Sequence, residues 1–292
     1  SPESLFAEKG SLLAAVRPGG TVIINQDDER VRGVLDKLIN EKKLAGKKIV
    51  RIGWSDSADI KINNDHLALD PTGAPNGIAC KVDYAGHTIP LRLTELYGSH
   101  QLYAVLFGLA VGISLDYPLL SLAERLETYA PPAGRGRVIA GVKGTWIIDD
   151  SYNASPAAVS AALTTLKSFP VAKRRIAVLG DMLELGTYTI DAHREVGKVA
   201  AGVCDLIVAV GVRAKFIIEG AGEAGFNRKK LKHFTDAREA GEAIESLIAE
   251  GDVILIKGSQ SIRLERVVEE IMAEPDKKAG LLCRQEPEWL KR

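Results

Sequence analysis

Several features that would announce a function class are scarce or missing in this sequence. Its 292 residues hold three cysteines, Cys80, Cys204 and Cys283, far apart and in no CxxC or other metal-ligand spacing. Neither a disulfide framework nor a zinc module is therefore expected, and the thiols read as reduced. Charge of neither sign is in excess, since 38 Lys plus Arg meet 38 Asp plus Glu. No global field draws such a chain to nucleic acid or to an anionic membrane, so any phosphate it binds must be met by a local site. Long apolar runs are absent too: "LYAVLFGLAVGISL", residues 102–115, is shorter than the roughly 20 residues that a bilayer-crossing helix needs and reads as a buried helix. No membrane insertion is expected. The opening "SPESLFAEKGSLLAAV" lacks the charged-then-apolar order of a signal peptide, which gives the expectation of a cytoplasmic protein. An opening Ser1 in place of Met is what a processed or trimmed chain would show. Finally, no G-x-x-x-x-G-K-[ST] occurs, so this sequence carries no phosphate-cradling P-loop of its own.

What is present is an ordinary globular balance, 46% hydrophobic and 26% charged, in a length that suits two domains. The opening reads as a helix over 2–16, with Leu5, Leu12, Leu13 and Val16 near helical spacing, followed by a turn at "RPGG" and a strand "TVIIN". "KKIVRIGW" is a second strand, and "GIACKVDYAGHTIPLRL" alternates and turns at Ala85-Gly86 as a hairpin does. Two helical patterns fill 98–130. The Pro/Gly-rich "PPAGRGR" at 131–137 is the best linker candidate.

Beyond it the rhythm becomes regular. "WIIDD", "RIAVLG", "DLIVAVG", "LKHFTD" and "DVILIKG" alternate with helical patterns over 156–168, 191–201, 213–219, 237–249 and 263–273. That alternation predicts a largely parallel sheet covered on both faces, whose ligands sit beyond the carboxyl ends of its strands. Those ends carry Asp149-Asp150, Gly180-Asp181, Gly211 and Lys257-Gly258-Ser259. Residues 276–292 have no clear period and are expected to form a loosely attached tail.

The adjacent acids in "WIIDDSYNASPAAV" are the sharpest signal. A carboxylate at the end of a buried strand is costly unless donors, a cation or water await it, and Ser155 is better placed than either Asp to cap the helix beginning near Pro156. Lys257, a cation after a buried strand, could meet a phosphate or a carboxylate. Other signals have plainer readings. "GAGEAG" at 220–225 matches G-x-G-x-x-G but follows a helix instead of a strand, and reads as a helix C-terminal turn. Lone His100 reads as a cap or a packed residue, and Lys9 as a solvated lysine.

Together, "IDDSYNASPAAVSAAL", "IAVLGDMLELG" followed by "HREVG", and "DVILIKGSQSIRLERVV" resemble the carboxyl-terminal half of the Mur ligases, with "LGDMLELG" pointing to the MurF-type, D-alanyl-D-alanine-adding members. The resemblance spans residues 3–273. It implies an α/β fold in which residues 1–131 are the later part of a P-loop-type central ATPase domain and residues 132–275 a Rossmann-like C-terminal domain. The N-terminal UDP-sugar domain and the G-T-x-G-K-T loop would then precede Ser1, and this stretch alone would not hydrolyse ATP.

The activity so implied is ADP-forming, ATP-dependent joining of UDP-N-acetylmuramoyl-tripeptide to D-alanyl-D-alanine for peptidoglycan, through an acyl phosphate, with magnesium and in a monomer. Residue by residue, Asp150 matches the acid that contacts the ATP ribose, with Asn153 following it. Arg135 matches the linker arginine that reaches the phosphates, and Lys9 the lysine that is carbamoylated to become a magnesium ligand. His100 falls on the family's G-x-H-N-x-x-N pattern, where Gln101 and Ala104 replace the asparagines that help recognise adenine. Asp181, Glu184, Lys257 and Ser259 fall on motifs near the substrate side, and Gln260 stands where Arg is more usual. Two alternatives stand beside this reading. One is a sister Mur or folylpolyglutamate-type ligase with another amine substrate; the other is a non-catalytic binding paralogue.

Overall fold

The computed structural model describes residues 2–170 and 172–291, with side chains from residue 6 onward. The side chain of Leu5, counted above in the opening helical pattern, lies outside the described residues. The chain divides into two compact units: Ser1–Ala68, Gly77–Thr94 and Ser99–Tyr129 form the first, and Leu69–Asn76, Glu95–Gly98 and Ala130–Arg292 the second.

The first unit runs α1 (Pro2–Ala15), β1 (Thr21–Asn25), α2 (Glu29–Asn40), β2 (Lys48–Gly53), β3 (Ile60–Leu69), β4 (Pro75–Tyr84), β5 (His87–Leu93), α3 (Leu102–Ser114) and α4 (Leu119–Leu126). Its strands lie in the order β1-β2-β3-β4-β5. β1 pairs in parallel with β2 and β2 with β3, while β4 and β5 form the expected hairpin. Ala85 and Gly86 at its tip both have positive φ, 49° and 80°, the backbone twist that suits a two-residue hairpin turn. Asp28 caps α2, its carboxylate accepting from the amides of Arg30 and Val31. The apolar stripe of α2 then closes a small core of Val22, Ile24, Leu35, Leu38 and Leu44. The apolar run at 102–115 is indeed a helix, α3, buried along Leu102, Val105, Leu106 and Leu109, but Phe107 and Val111 on its other side are exposed.

The second unit holds β6 (Arg137–Gly141), β7 (Thr145–Asp150), α5 (Pro156–Ser168), β8 (Arg174–Gly180), α6 (Thr189–Ala201), β9 (Leu206–Val210), α7 (Lys215–Glu223), β10 (Leu231–Phe234), α8 (Ala237–Leu247), β11 (Asp252–Lys257), α9 (Glu265–Ile271) and two single turns, α10 (Lys278–Leu281) and α11 (Pro287–Leu290). The sheet order is β10-β9-β8-β11-β7-β6. All pairings are parallel except that of β6 with β7. β9 and the middles of β8 (Ile176–Leu179) and β11 (Val253–Ile256) are unbroken apolar runs because both faces of a parallel sheet are covered. Ser155 caps α5 as its sequence position suggests, accepting from the amide of Ala158, with Pro156 at the first helical position.

Two sequence expectations need correction. "GAGEAG" does not lie wholly in a turn, since α7 continues through Glu223. Gly220 is there because α6 crosses so closely that a Cβ would sit 2.1 Å from the carbonyl oxygen of Arg194, and Gly197 on α6 faces the Ile217 carbonyl at the same distance. Nor is the region after residue 275 loosely attached throughout: Leu282, Cys283 and Arg284 are buried. The 131–137 segment is likewise tied down, with the Gly134 carbonyl accepting from the Tyr152 amide at 3.0 Å and the Gly136 amide donating to the Asp149 backbone carbonyl at 2.8 Å.

Candidate active site

Because β11 lies between β7 and β8, the carboxyl ends of all three meet at the middle of the sheet. Lys257 stands in register with Asp150 on one side and Leu179 on the other. Its ammonium donates to Asp150 Oδ2 at 2.6 Å and to the Asn153 carbonyl at 2.9 Å. Both side chains are nearly sealed from water, 3% exposed for Lys257 and 11% for Asp150. In that setting neither charge would be tolerable without the other. Asn153 is exposed, and its side-chain oxygen accepts from the Ala154 amide, which holds the turn into α5.

Asp149, one residue earlier, points to the opposite side of β7 and is fully buried. Its Oδ1 accepts from the Ser151 amide at 3.2 Å, and its Oδ2 has no hydrogen-bond partner among the described residues. Burial pushes its pKa up to about 6, helped by the neighbouring Asp150 and Glu265 carboxylates and opposed by the bonds from Ser151.

Across β11, the turn after β8 is built from Asp181, Met182 and Leu183. Asp181 Oδ1 accepts from the Ala214 amide at 2.7 Å, and Arg213 lies 3.6 Å from Oδ2. The Ser259 amide donates to the Asp181 carbonyl, and Ser259 Oγ accepts from the Leu183 amide, so Asp181 and Ser259 brace one turn against the other. His193 supports the same turn from α6. Its Nε2 accepts from the Met182 amide at 2.9 Å while Nδ1 faces the Thr189 carbonyl at 2.6 Å, an arrangement that requires a neutral ring protonated on Nδ1. Burial lowers the pKa of His193, consistent with that form. Glu184 is exposed on this turn with φ of 63°.

Arg135 is exposed, its guanidinium 4.2 Å from the centre of the Tyr152 ring. Both line a cleft of about 710 Å³ with Gln260, Arg284 and Trp289. Tyr152 and Arg284 were not singled out in the sequence. Tyr152 lay inside the "SYN" motif, but Arg284 lies in a stretch with no period to point at it.

The structure thus brings together Asp150, Asn153 and Lys257 as one cluster and Asp181 with Ser259 as another. Arg135 and Glu184 lie in the same unit, whereas Lys9, His100 and Gln101 belong to the first unit. Lys9 is exposed on α1, at the border of a pocket lined by Phe6, Leu13 and Asn25. His100 and Gln101 form a short turn with Ser99 directly before α3. That turn is anchored by Ser99, whose hydroxyl donates to Asp65, which also accepts from the Trp54 indole.

A strand-end carboxylate locked to a buried lysine, in a sheet of this order, can be set against known proteins. Residues 134–260 match the family model of the Mur ligase glutamate ligase domain. Over those residues the chain is similar to the Mur ligase family. Among curated members, a UDP-N-acetylmuramoyl-tripeptide--D-alanyl-D-alanine ligase of Bacillus subtilis is 30% identical over 214 residues, covering 73% of this chain and 46% of the relative. The ligase of the same name from Escherichia coli is 28% identical over 264 residues, 89% of this chain and 54% of its own. The chain therefore spans about half the length of the curated relatives it matches. Its fold is that of solved Mur ligases: a MurF ligase from Thermotoga maritima in complex with ADP superposes with a TM-score of 0.74 at 22% identity, covering 96% of this chain and 59% of the other. A MurF from Acinetobacter baumannii gives 0.75 at 23% identity over 92% of this chain and 55% of its own.

Proposed function

We propose that this chain is the later part of an ATP-dependent, ADP-forming amide ligase that adds D-alanyl-D-alanine to UDP-N-acetylmuramoyl-tripeptide in peptidoglycan synthesis in the cytoplasm. In this reading residues 1–131 are the later part of the central ATPase domain and residues 132–275 the C-terminal domain. The name shared by the curated relatives supports the substrates. The observation that carries the reading is the Asp150 carboxylate held at the end of β7 by Lys257.

A carboxylate is a poor electrophile, and ATP supplies the phosphoryl group that turns it into an acyl phosphate with a competent leaving group. The residues of this chain bind and orient. Asp150, fixed by Lys257, offers an acceptor to ribose hydroxyls, and Arg135 on its aromatic rest presents a guanidinium to phosphate oxygens. Asp181, Glu184 and Ser259 border the substrate side. Gln101 retains an amide for the adenine, beside His100, whereas Ala104 has none. Lys9 is open to the carbamoylation that the resemblance implies. Magnesium, when bound, would offset phosphate charge, with carbamoylated Lys9 as the ligand this chain would supply; among the described residues no group of three or more His, Cys, Asp or Glu side chains is arranged to hold a metal ion.

The test is phosphate release from ATP by the full-length polypeptide encoded with this sequence, assayed with both substrates, with each one omitted, and with lysine, diaminopimelate or glutamate replacing the dipeptide. Release that needs both the tripeptide precursor and D-alanyl-D-alanine, and that drops roughly 100-fold in Asp150→Ala, supports the proposal. Release with another amine would move the assignment to a sister ligase. No release from a folded protein would favour the non-catalytic paralogue.

A further inference from the structure

The segment after α9 contributes a residue to the site that no motif announces. The Arg284 guanidinium, 2% exposed, donates to Glu265 Oε2 at 2.8 Å, to the Ser151 carbonyl at 3.4 Å and to the Tyr152 carbonyl at 2.5 Å. Ser151 and Tyr152 are the two residues that separate Asp150 from Asn153. Next to it, Cys283 Sγ lies 3.6 Å from the Ser151 hydroxyl. Arg284 also lies 5.3 Å from the ring centre of Tyr152 and 5.7 Å from that of Trp289, and the same Tyr152 ring carries Arg135. A guanidinium offers five donors in a fixed plane, so one side chain can tie two successive carbonyls to a carboxylate in a way that a lysine cannot.

We propose that Arg284 is a positioning residue: it holds the backbone between Asp150 and Asn153, and through the Tyr152 ring the Arg135 guanidinium, in the arrangement the site uses. The cost of burying Arg284 is consistent with such a role. Glu265 already has Arg263 as a hydrogen-bonded partner, so charge balance at Glu265 does not require a second arginine. Burying one more guanidinium beside it is justified by what else it holds, and that is the backbone of the Asp150–Asn153 loop.

The kinetic arm of the test rests on the ligase reading above, whereas the exchange arm does not. Arg284→Ala leaves the Arg263–Glu265 pair in place and is expected to fold. In this chain, amide hydrogen exchange at residues 151–154 should quicken in the variant while β8 and β11 stay protected; unchanged exchange would overturn the proposal. In the full-length polypeptide, kcat/KM for ATP should fall roughly 10- to 100-fold, and free guanidinium ion at concentrations too low to denature should restore part of the loss. Faster exchange with unchanged kcat/KM for ATP, or a loss that guanidinium leaves untouched, would sink the positioning role. Should the unsubstituted enzyme release no phosphate, the ligase reading fails and the exchange result decides the role of Arg284 by itself.

Discussion

The Lys257 ammonium and the Asp150 carboxylate, 107 residues apart in sequence, meet at 2.6 Å inside the protein. Removing one partner leaves the other charge buried and uncompensated, which costs about 3–5 kcal/mol. Lys257→Met should therefore destabilise the protein by that order, read as a lowered urea midpoint. The double variant Lys257→Met, Asp150→Asn should recover much of the loss. A double variant no more stable than the single one would mean that the pair is not the stabilising unit.

Asp149 should give stability a distinctive dependence on pH. Its folded pKa, about 6, lies above the ordinary 3.8, so the native state holds a proton that the unfolded chain has released. The stability linked to that proton is present below about 3.8 and is lost as pH rises through about 6. Asp149→Asn keeps the side chain neutral at every pH. The variant should unfold at a higher temperature than the parent at pH 7 and at nearly the same temperature at pH 4. A constant difference across that range would count against the burial account.

The crossing of α6 and α7 makes Gly197 and Gly220 intolerant of any side chain. A Cβ at either would fall 2.1 Å from a backbone oxygen, which only movement of the helices can relieve. Gly220→Ala should cost about 1–3 kcal/mol, the usual range for overpacking. Gly222, in the same helix, has nothing within 4 Å of its Cβ position, so Gly222→Ala should raise stability by about 0.5–1 kcal/mol. Thermal melts of the two variants should move in opposite directions.

Ser155 offers a smaller, local check. Its hydroxyl accepts from the Ala158 amide at 3.4 Å, so Ser155→Ala should cost about 1 kcal/mol, and Ser155→Asp should recover most of it. Equal stability of all three would mean that the cap contributes nothing here.

Much of the second unit was legible in the sequence because its strands are continuous apolar runs broken by glycines, and its helices have period and caps. The same logic located Asp150 and Lys257, since charged residues at the ends of such runs stand out. α2 and β6 are not announced by the sequence: α2 is rich in charge, with buried Leu35 and Leu38 its main apolar anchors, and β6 follows the glycines of a segment that looks like a linker. The tail was misjudged for a related reason. Arg284 is buried by hydrogen bonds to carbonyls and by aromatic neighbours, and neither leaves a hydrophobic period to detect.

By itself the sequence determined the strands β7 to β11, the residues that end them and the family they resemble, because those are properties of local order and spacing. Only the tertiary structure decided that β11 inserts between β7 and β8, that Lys257 neutralises Asp150, and that Arg284 reaches back to the loop after β7. The physical reason is that a buried charge is satisfied by whatever partner the folded chain brings within about 3 Å, and that partner is set by sheet order and chain return instead of by distance along the sequence.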